Sequence, residues 1–99
     1  MGEFNYKLKV DITPSSGKPG DSVTIKAVFS DVTEQIKNVY VSVPQYGIWE
    51  MLWPTEKNTY SLSYTVPWGA PSGDYDVGVY AINAEGKRGP TANTTFNVT

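Results

Sequence analysis

The sequence of 99 residues contains no histidine and no cysteine. Without an imidazole or a thiol, the chain lacks the groups for histidine acid–base catalysis, thiol chemistry, disulfides and most zinc sites. No apolar run is long enough to span a bilayer, and residues 1–6 do not have the composition of a signal peptide. These absences argue against most classes of enzyme and against a membrane anchor within this sequence.

The chain also lacks an excess of positive charge. Eight Lys and Arg stand against ten Asp and Glu, which gives a net charge of −2. Proteins that bind nucleic acid or anionic membranes usually carry a basic surface. We therefore expect neither nucleic acid nor a membrane among the partners.

Residues that favour β-strands dominate the composition. There are 11 Val, 10 Thr, 7 Tyr and 5 Ile, against only 5 Ala and 3 Leu. The length suits one hydrophobic core. We predict one all-β domain over residues 1–99, in which residues 1–5 are flexible or foreign to the natural protein.

Short runs of alternating apolar and polar residues recur about every 8–12 residues, as in β-sandwiches. Pro14–Gly20 is predicted to be a turn. Ile48–Trp53 has apolar residues on both parities and is predicted to be an edge strand that partly covers the core. The seven predicted strands are Tyr6–Thr13, Ser22–Ser30, Lys37–Val43, Ile48–Trp53, Thr59–Val66, Tyr75–Asn83 and Asn93–Val98.

Tyr75–Pro90 has the spacing Tyr-x-Val-x-Val-x-Ala-x-Asn-x-x-Gly and resembles the F strand and F–G loop of fibronectin type III and bacterial or archaeal immunoglobulin-like modules. Pro19–Ile25 is similar to their entry into strand B, and Tyr60–Val66 with Pro71–Tyr75 to their E strand and E–F loop. The resemblance covers nearly the whole chain and implies a seven-strand antiparallel Greek-key sandwich, immunoglobulin-like in topology. The missing Cys pair, and the missing Trp in the second run, favour the microbial immunoglobulin-like branch.

The resemblance also implies structural roles for three residues. Tyr75 corresponds to a tyrosine-corner residue, with its ring in the core and its hydroxyl bonded to the backbone of the E–F connection. Gly73 and Gly86 are expected to adopt positive φ at turns. We interpret these residues as folding devices and not as ligand sites.

Aromatic residues give the strongest signal for binding. Tyr40 and Tyr80 fall on the outward parity of strands expected to be neighbours, and Trp49, like Trp53, Trp68 and Tyr46, lies in or near a loop that could extend this surface. Exposed aromatic side chains stack on sugar rings or anchor protein partners, so Tyr40, Tyr80 and Trp49 are the candidate ligand-binding residues. In the alternative interpretation, Tyr40 and Tyr80 form a cross-strand pair that stabilises the sheet, while Trp53 and Trp68 cover the open ends of the sandwich.

Carboxylates offer weaker candidates. Asp21, Asp74 and Asp76 are expected at one end of the sandwich, where they could bind calcium. The sequence has no dense Asp-x-Asp-x-Asp-Gly run, so we favour solvated turn carboxylates and predict no metal and no cofactor. The loops are too short to wall a cleft between two carboxylates, as a glycosidase requires, and we predict that the chain is not an enzyme.

The sequence predicts a non-catalytic spacer or interaction module of a larger secreted or cell-surface microbial protein. An odd number of strands would place its termini at opposite ends, so that it holds neighbouring domains apart. Three alternatives stay open: a carbohydrate-binding module, an accessory domain whose Ile48–Trp53 edge packs on a catalytic neighbour, and a cytosolic scaffold. The expected partners of a monomer are the flanking domains of its own chain, a polysaccharide or another surface protein.

Overall fold

The computed structural model describes residues 4–99, and for Tyr46 only the backbone. The strands in this part of the chain are β1 (Lys7–Thr13), β2 (Ser16–Gly17), β3 (Ser22–Ser30), β4 (Ile36–Val43), β5 (Ile48–Glu56), β6 (Thr59–Thr65), β7 (Gly73–Asn83) and β8 (Ala92–Val98). These eight strands form one sheet in the order β1-β3-β6-β5-β4-β7-β8-β2. A short 3₁₀ helix, Pro44–Tyr46, connects β4 to β5. No helix in this part of the chain is long and apolar enough to cross a membrane.

The all-β prediction is confirmed, but the predicted seven-strand antiparallel Greek-key sandwich is wrong. The structure has eight strands in one mixed sheet that curls into a nearly barrel-shaped body. The additional strand, β2, lies inside the predicted turn Pro14–Gly20 and pairs in parallel with β8, Ser16 beside Asn97 and Gly17 beside Val98. Two residues are too few to show an alternating pattern, so the sequence gives no sign of this strand.

Strand β5 joins two halves of the sheet: β1, β3 and β6 form one half, and β4, β7, β8 and β2 form the other. Ile48–Leu52 pairs with β4, whereas Trp53–Glu56 pairs with β6. The prediction of an edge strand over Ile48–Trp53 therefore fits Ile48–Leu52, which pairs on one side only, and is wrong at Trp53, which pairs with β6. The apolar residues on both parities have a simple explanation, because Leu52 points into the core while Trp49 and Trp53 are exposed.

The core lies between the inner faces of the two halves of the sheet. Alternation places one face of each long strand inward, and Val39, Val79 and Ala81 at the centre are fully buried. Phe4 is also buried, and Asn5 accepts and donates hydrogen bonds with Thr33. Residues 4 and 5 of the stretch expected to be flexible or foreign to the natural protein thus contact the rest of the domain; residues 1–3 of that stretch lie outside the described residues.

The first and last long strands run in the same direction, because an even number of antiparallel pairings separates β1 from β8. At the start of the described chain, the Tyr6 hydroxyl bonds to Pro90, just before β8. At the other end, the Thr99 amide bonds to Gly17, after β1. The chain therefore enters and leaves at opposite ends of a body 45 Å long.

Candidate interaction surface

Three aromatic side chains from neighbouring strands lie side by side on the outer face of the sheet. Tyr40 of β4 stands directly opposite Tyr80 of β7, with ring centroids 5.7 Å apart. Trp49 of β5 stacks on Tyr40, with centroids 4.6 Å apart and planes within 14°. The Trp49 indole N–H also donates a 2.9 Å hydrogen bond to the Tyr80 hydroxyl. The structure thus brings together the three residues singled out as candidate ligand contacts.

Arg88 completes this group from the β7–β8 loop. Its guanidinium carbon lies 3.8 Å from the centroid of the Tyr80 ring, and one guanidinium nitrogen donates to the Thr91 hydroxyl at 3.1 Å. An exposed cation–π contact of this kind contributes about 0.5–1 kcal/mol. We call Trp49, Tyr40, Tyr80 and Arg88 the aromatic row. Sequence reasoning missed Arg88 because loop geometry decides where its side chain lies.

The rings of the aromatic row face one another and do not form a flat platform. A centroid distance of 4.6 Å between nearly parallel planes is the geometry of offset stacking, so Trp49 and Tyr40 each cover one face of the other. Arg88 covers one face of Tyr80. A sugar that stacks on the row therefore has the outer face of Trp49 as its best-exposed surface, since this side chain is 58% exposed.

The other two tryptophans are exposed as well. Trp53 is 58% and Trp68 is 82% exposed, so the prediction that they cover the ends of the fold is wrong. Trp68 lies in the β6–β7 connection with its ring against Gly20, where a Cβ atom would collide with the indole. Trp53 lies on β5, on the same face as Trp49.

The acidic residues of the turns make local hydrogen bonds. Asp21 accepts from the Lys18 amide at 3.0 Å, and Asp74 accepts from the Asn97 side-chain amide at 2.8 Å. Within residues 4–99, no three acidic side chains come together in a way that could hold a metal ion. The calcium hypothesis for Asp21, Asp74 and Asp76 therefore has no ligand cluster in the described structure.

Tyr75 and Gly73 lie in the first turn-proximal residues of β7, with Gly73 as its first residue, and Gly86 lies in the β7–β8 loop. The Tyr75 hydroxyl donates a 2.7 Å hydrogen bond to the Pro71 carbonyl, which ties β7 to the connection before it. Gly73 has φ of +142° and Gly86 has φ of +84°. Both values lie in the region that side chains with a Cβ rarely adopt.

Asn83 organises the loop that carries Arg88. It is 1% exposed, and its side-chain oxygen accepts hydrogen bonds from the amides of Glu85 and Lys87 at 3.0 and 2.9 Å. Its side-chain amide donates to Glu34 at 2.9 Å. The resemblance motif includes this Asn, but its role in shaping the loop emerges only from these contacts.

Tyr6 fixes the start of the chain beneath the same loop. Its hydroxyl accepts a 2.9 Å hydrogen bond from the Ala81 amide and donates a 2.6 Å bond to the Pro90 carbonyl. Burial raises the pKa of this hydroxyl above its usual value, although the Ala81 hydrogen bond and the charge of Arg88 oppose the shift. Gly89 lies against the Tyr6 ring, which leaves no space for a Cβ atom.

A small apolar cavity lies near the opposite end of the fold. It has a volume of about 60 Å³ and is lined by side chains from both halves of the sheet. Ile48 of β5 borders it on one side, and Tyr64 and Val66 on another. Pairing between β5 and β6 ends at Trp53 and Ser61, so the two strands are unpaired with each other beside this cavity.

In comparisons with known proteins, matches to this chain come from solved structures. No protein-family model and no curated protein matches the chain. A chain from Corynebacterium diphtheriae, described as membrane anchored, matches 93% of this chain with a TM-score of 0.74 and 24% identity. A Niemann-Pick type C2 protein from the Japanese carpenter ant matches 97% with a TM-score of 0.62 and 11% identity.

The two matches differ in how much of the other protein they include. This chain spans 20% of the Corynebacterium chain but 92% of the ant chain. Identities of 24% and 11% show a shared all-β fold and nothing about shared activity.

Proposed function

We propose that this chain is a non-catalytic, immunoglobulin-like module of a larger secreted or cell-surface microbial protein, and that it holds the domains on either side of it apart. One observation carries the proposal: the chain enters and leaves at opposite ends of a 45 Å body. A folded unit with this geometry adds its own length to the chain that contains it.

Strand order supports the immunoglobulin-like classification. The half formed by β1, β3 and β6 corresponds to strands A, B and E of that topology, and the half formed by β4, β7 and β8 corresponds to strands C, F and G. Strand β5 links the two halves. The Corynebacterium match supports the rest of the proposal, because there a similar unit is one fifth of a longer chain described as membrane anchored.

The apolar cavity inside the fold does not suit a small substrate. Pockets that bind small molecules usually measure about 300–1,000 Å³ and contain a few convergent polar groups. The cavity beside Ile48 measures about 60 Å³ and is lined by apolar surface. It has neither the volume nor the polar groups that position a substrate.

Distances between spin labels test the geometry of the ends. Because the chain has no cysteine, a double variant with Lys7→Cys and Thr99→Cys carries a spin label at these two positions and nowhere else. We expect a separation of about 25–35 Å, from the rise of the strand residues that lie between the two ends. The control pair, Lys18→Cys with Thr99→Cys, should give a distance below about 20 Å, because Thr99 bonds to Gly17 beside Lys18. Equal distances for the two pairs would refute the spacer proposal.

A further inference from the structure

The first half of β5 has a backbone edge that no described strand uses. Ile48–Leu52 pairs with β4 on one side, and the β5–β6 ladder begins only at Trp53. In an antiparallel strand every second residue directs its N–H and C=O groups away from the partner strand. This segment, which we call the β5 edge, therefore presents backbone groups that can bond to a further strand.

The β5 edge has few of the features that usually prevent added pairing. Natural edge strands are protected by charged side chains, lysine above all, by proline or by a bulge, and the β5 edge carries one charged side chain, Glu50. Strand β1, at one end of the sheet order, carries Lys7 and Lys9. The β5 edge has no lysine and no proline, and Pro54 comes only where β6 already pairs.

Apolar surface lies on both sides of this edge. On the outer face, Trp49 and Trp53 are each 58% exposed and stand about 13 Å apart along the strand. On the inner face, Ile48 borders the apolar cavity of about 60 Å³. A strand added here would cover indole surface with one set of side chains and place a small aliphatic side chain at the cavity with the other.

We propose that the β5 edge accepts an extended segment of another polypeptide as an added strand, with aliphatic residues on both faces around one basic residue. The basic residue stands opposite Glu50, whose exposed carboxylate has no ion pair among the described residues. The cavity admits one small side chain and is smaller than the roughly 150 Å³ that holds a benzene ring, so a lipid chain is a poor occupant.

A second copy of the chain is a poorer occupant than a basic strand. Two β5 edges side by side bring the acidic Glu50 of each chain onto the same short stretch, and like charges on paired strands are destabilising. The net charge of −2 adds to this repulsion. Glu50 attracts a basic segment, whereas it repels the Glu50 of a second copy.

The test uses the capped peptide Ser-Thr-Val-Val-Lys-Val-Val-Thr-Ser, whose residue order is the same from either end and therefore suits either strand direction. The full chain, labelled with ¹⁵N, is titrated with this peptide in an NMR experiment. We expect saturable shifts of the amides in residues 48–52, slower hydrogen exchange in the same segment, and shifts of the Trp49 and Trp53 indole signals. The same peptide with N-methyl groups on alternate residues cannot form the backbone ladder and should not bind.

Two matched variants test the charge. Glu50→Lys should weaken peptide binding by about threefold to tenfold, since it replaces an exposed attraction with a repulsion. Glu56→Lys makes the same change on the part of β5 that β6 already pairs, and it should leave binding unchanged. The NMR spectrum of each variant shows directly that it folds.

Four outcomes of the peptide titration would overturn the proposal, and a fifth concerns the protein without peptide. They are no shifts in residues 48–52 at millimolar peptide, equal binding of the N-methylated peptide, equal binding by the Glu50→Lys variant, and shifts confined to Tyr80 and Arg88. Shifts in residues 48–52 that depend on protein concentration without peptide would also overturn it, because the occupant would then be a second copy.

Discussion

Replacing Tyr6 with Phe removes one hydroxyl that joins two parts of the backbone. The Ala81 amide, which is fully buried, then loses its acceptor, and the Pro90 carbonyl loses its donor. An unsatisfied buried N–H costs about 1–3 kcal/mol, whereas an exposed carbonyl can bond to water instead. We expect Tyr6→Phe to lower the free energy of unfolding by about 2 kcal/mol. That is a large part of the roughly 5–15 kcal/mol typical of a domain.

Tyr60→Phe is the matched control. Tyr6 and Tyr60 both pack edge-on against Phe29, with ring centroids 4.9 and 5.7 Å from it. The structure shows no hydrogen bond from the Tyr60 hydroxyl within the described residues, so its removal should change the free energy of unfolding by less than about 0.5 kcal/mol. The pair of variants separates the hydrogen bonds of the hydroxyl from the packing of the ring.

Urea unfolding followed by far-ultraviolet circular dichroism provides the assay. Tryptophan fluorescence is a poor probe here, because all three indoles are at least 58% exposed in the folded state. A loss below about 0.5 kcal/mol for Tyr6→Phe, or an equal loss for both variants, would refute the reasoning. The slope of the transition should not change, because neither substitution alters the surface exposed on unfolding.

Three further predictions concern pH, the β7–β8 loop and sugar binding. Because the pKa of Tyr6 is raised in the folded state, its contribution to stability is fully present below pH 10 and is lost as the pH rises through the folded-state pKa. In urea titrations above pH 10, the difference in free energy of unfolding between the unmodified protein and Tyr6→Phe should therefore become smaller. Asn83→Ala removes hydrogen bonds to two backbone amides and to Glu34, and it should lower the free energy of unfolding by about 2–3 kcal/mol. Hydrogen exchange in residues 84–88 should become faster, and unchanged exchange would contradict the role of Asn83 in shaping the loop. If a soluble glycan binds the aromatic row, NMR shifts should centre on the Trp49 indole and disappear in Trp49→Ala but not in Trp68→Ala; equal loss in both variants would exclude stacking on the row.

The sequence was a good guide wherever a strand has one face in the core. Ser22–Ser30 matches β3 to the residue, and Thr59–Val66 exceeds β6 by one, because alternation of apolar residues directly reflects burial. The same parity placed Tyr40 and Tyr80 on the outer face. These features depend on local pattern, which the sequence contains.

Features that depend on contacts between residues far apart in the sequence could not be predicted from local pattern. Strand β2 exists only because Ser16 and Gly17 meet β8, and β5 extends through Pro54 although proline is rare within strands. The contact of Arg88 with Tyr80 depends on how Asn83 shapes the loop. The exposure of Trp68 was mispredicted for a related reason, since hydrophobicity does not tell which surface a loop side chain rests on.

The spacing role can be tested most directly by small-angle X-ray scattering on two copies of the chain joined head to tail, Thr99 to Met1. One copy should show a maximum dimension close to the 45 Å length of the body. Since the chain enters and leaves at opposite ends of that body, the account predicts that the second copy increases the maximum dimension by about the same length, apart from bending at the junction. A joined pair that folds back side by side, with a maximum dimension little greater than that of one copy, would contradict it.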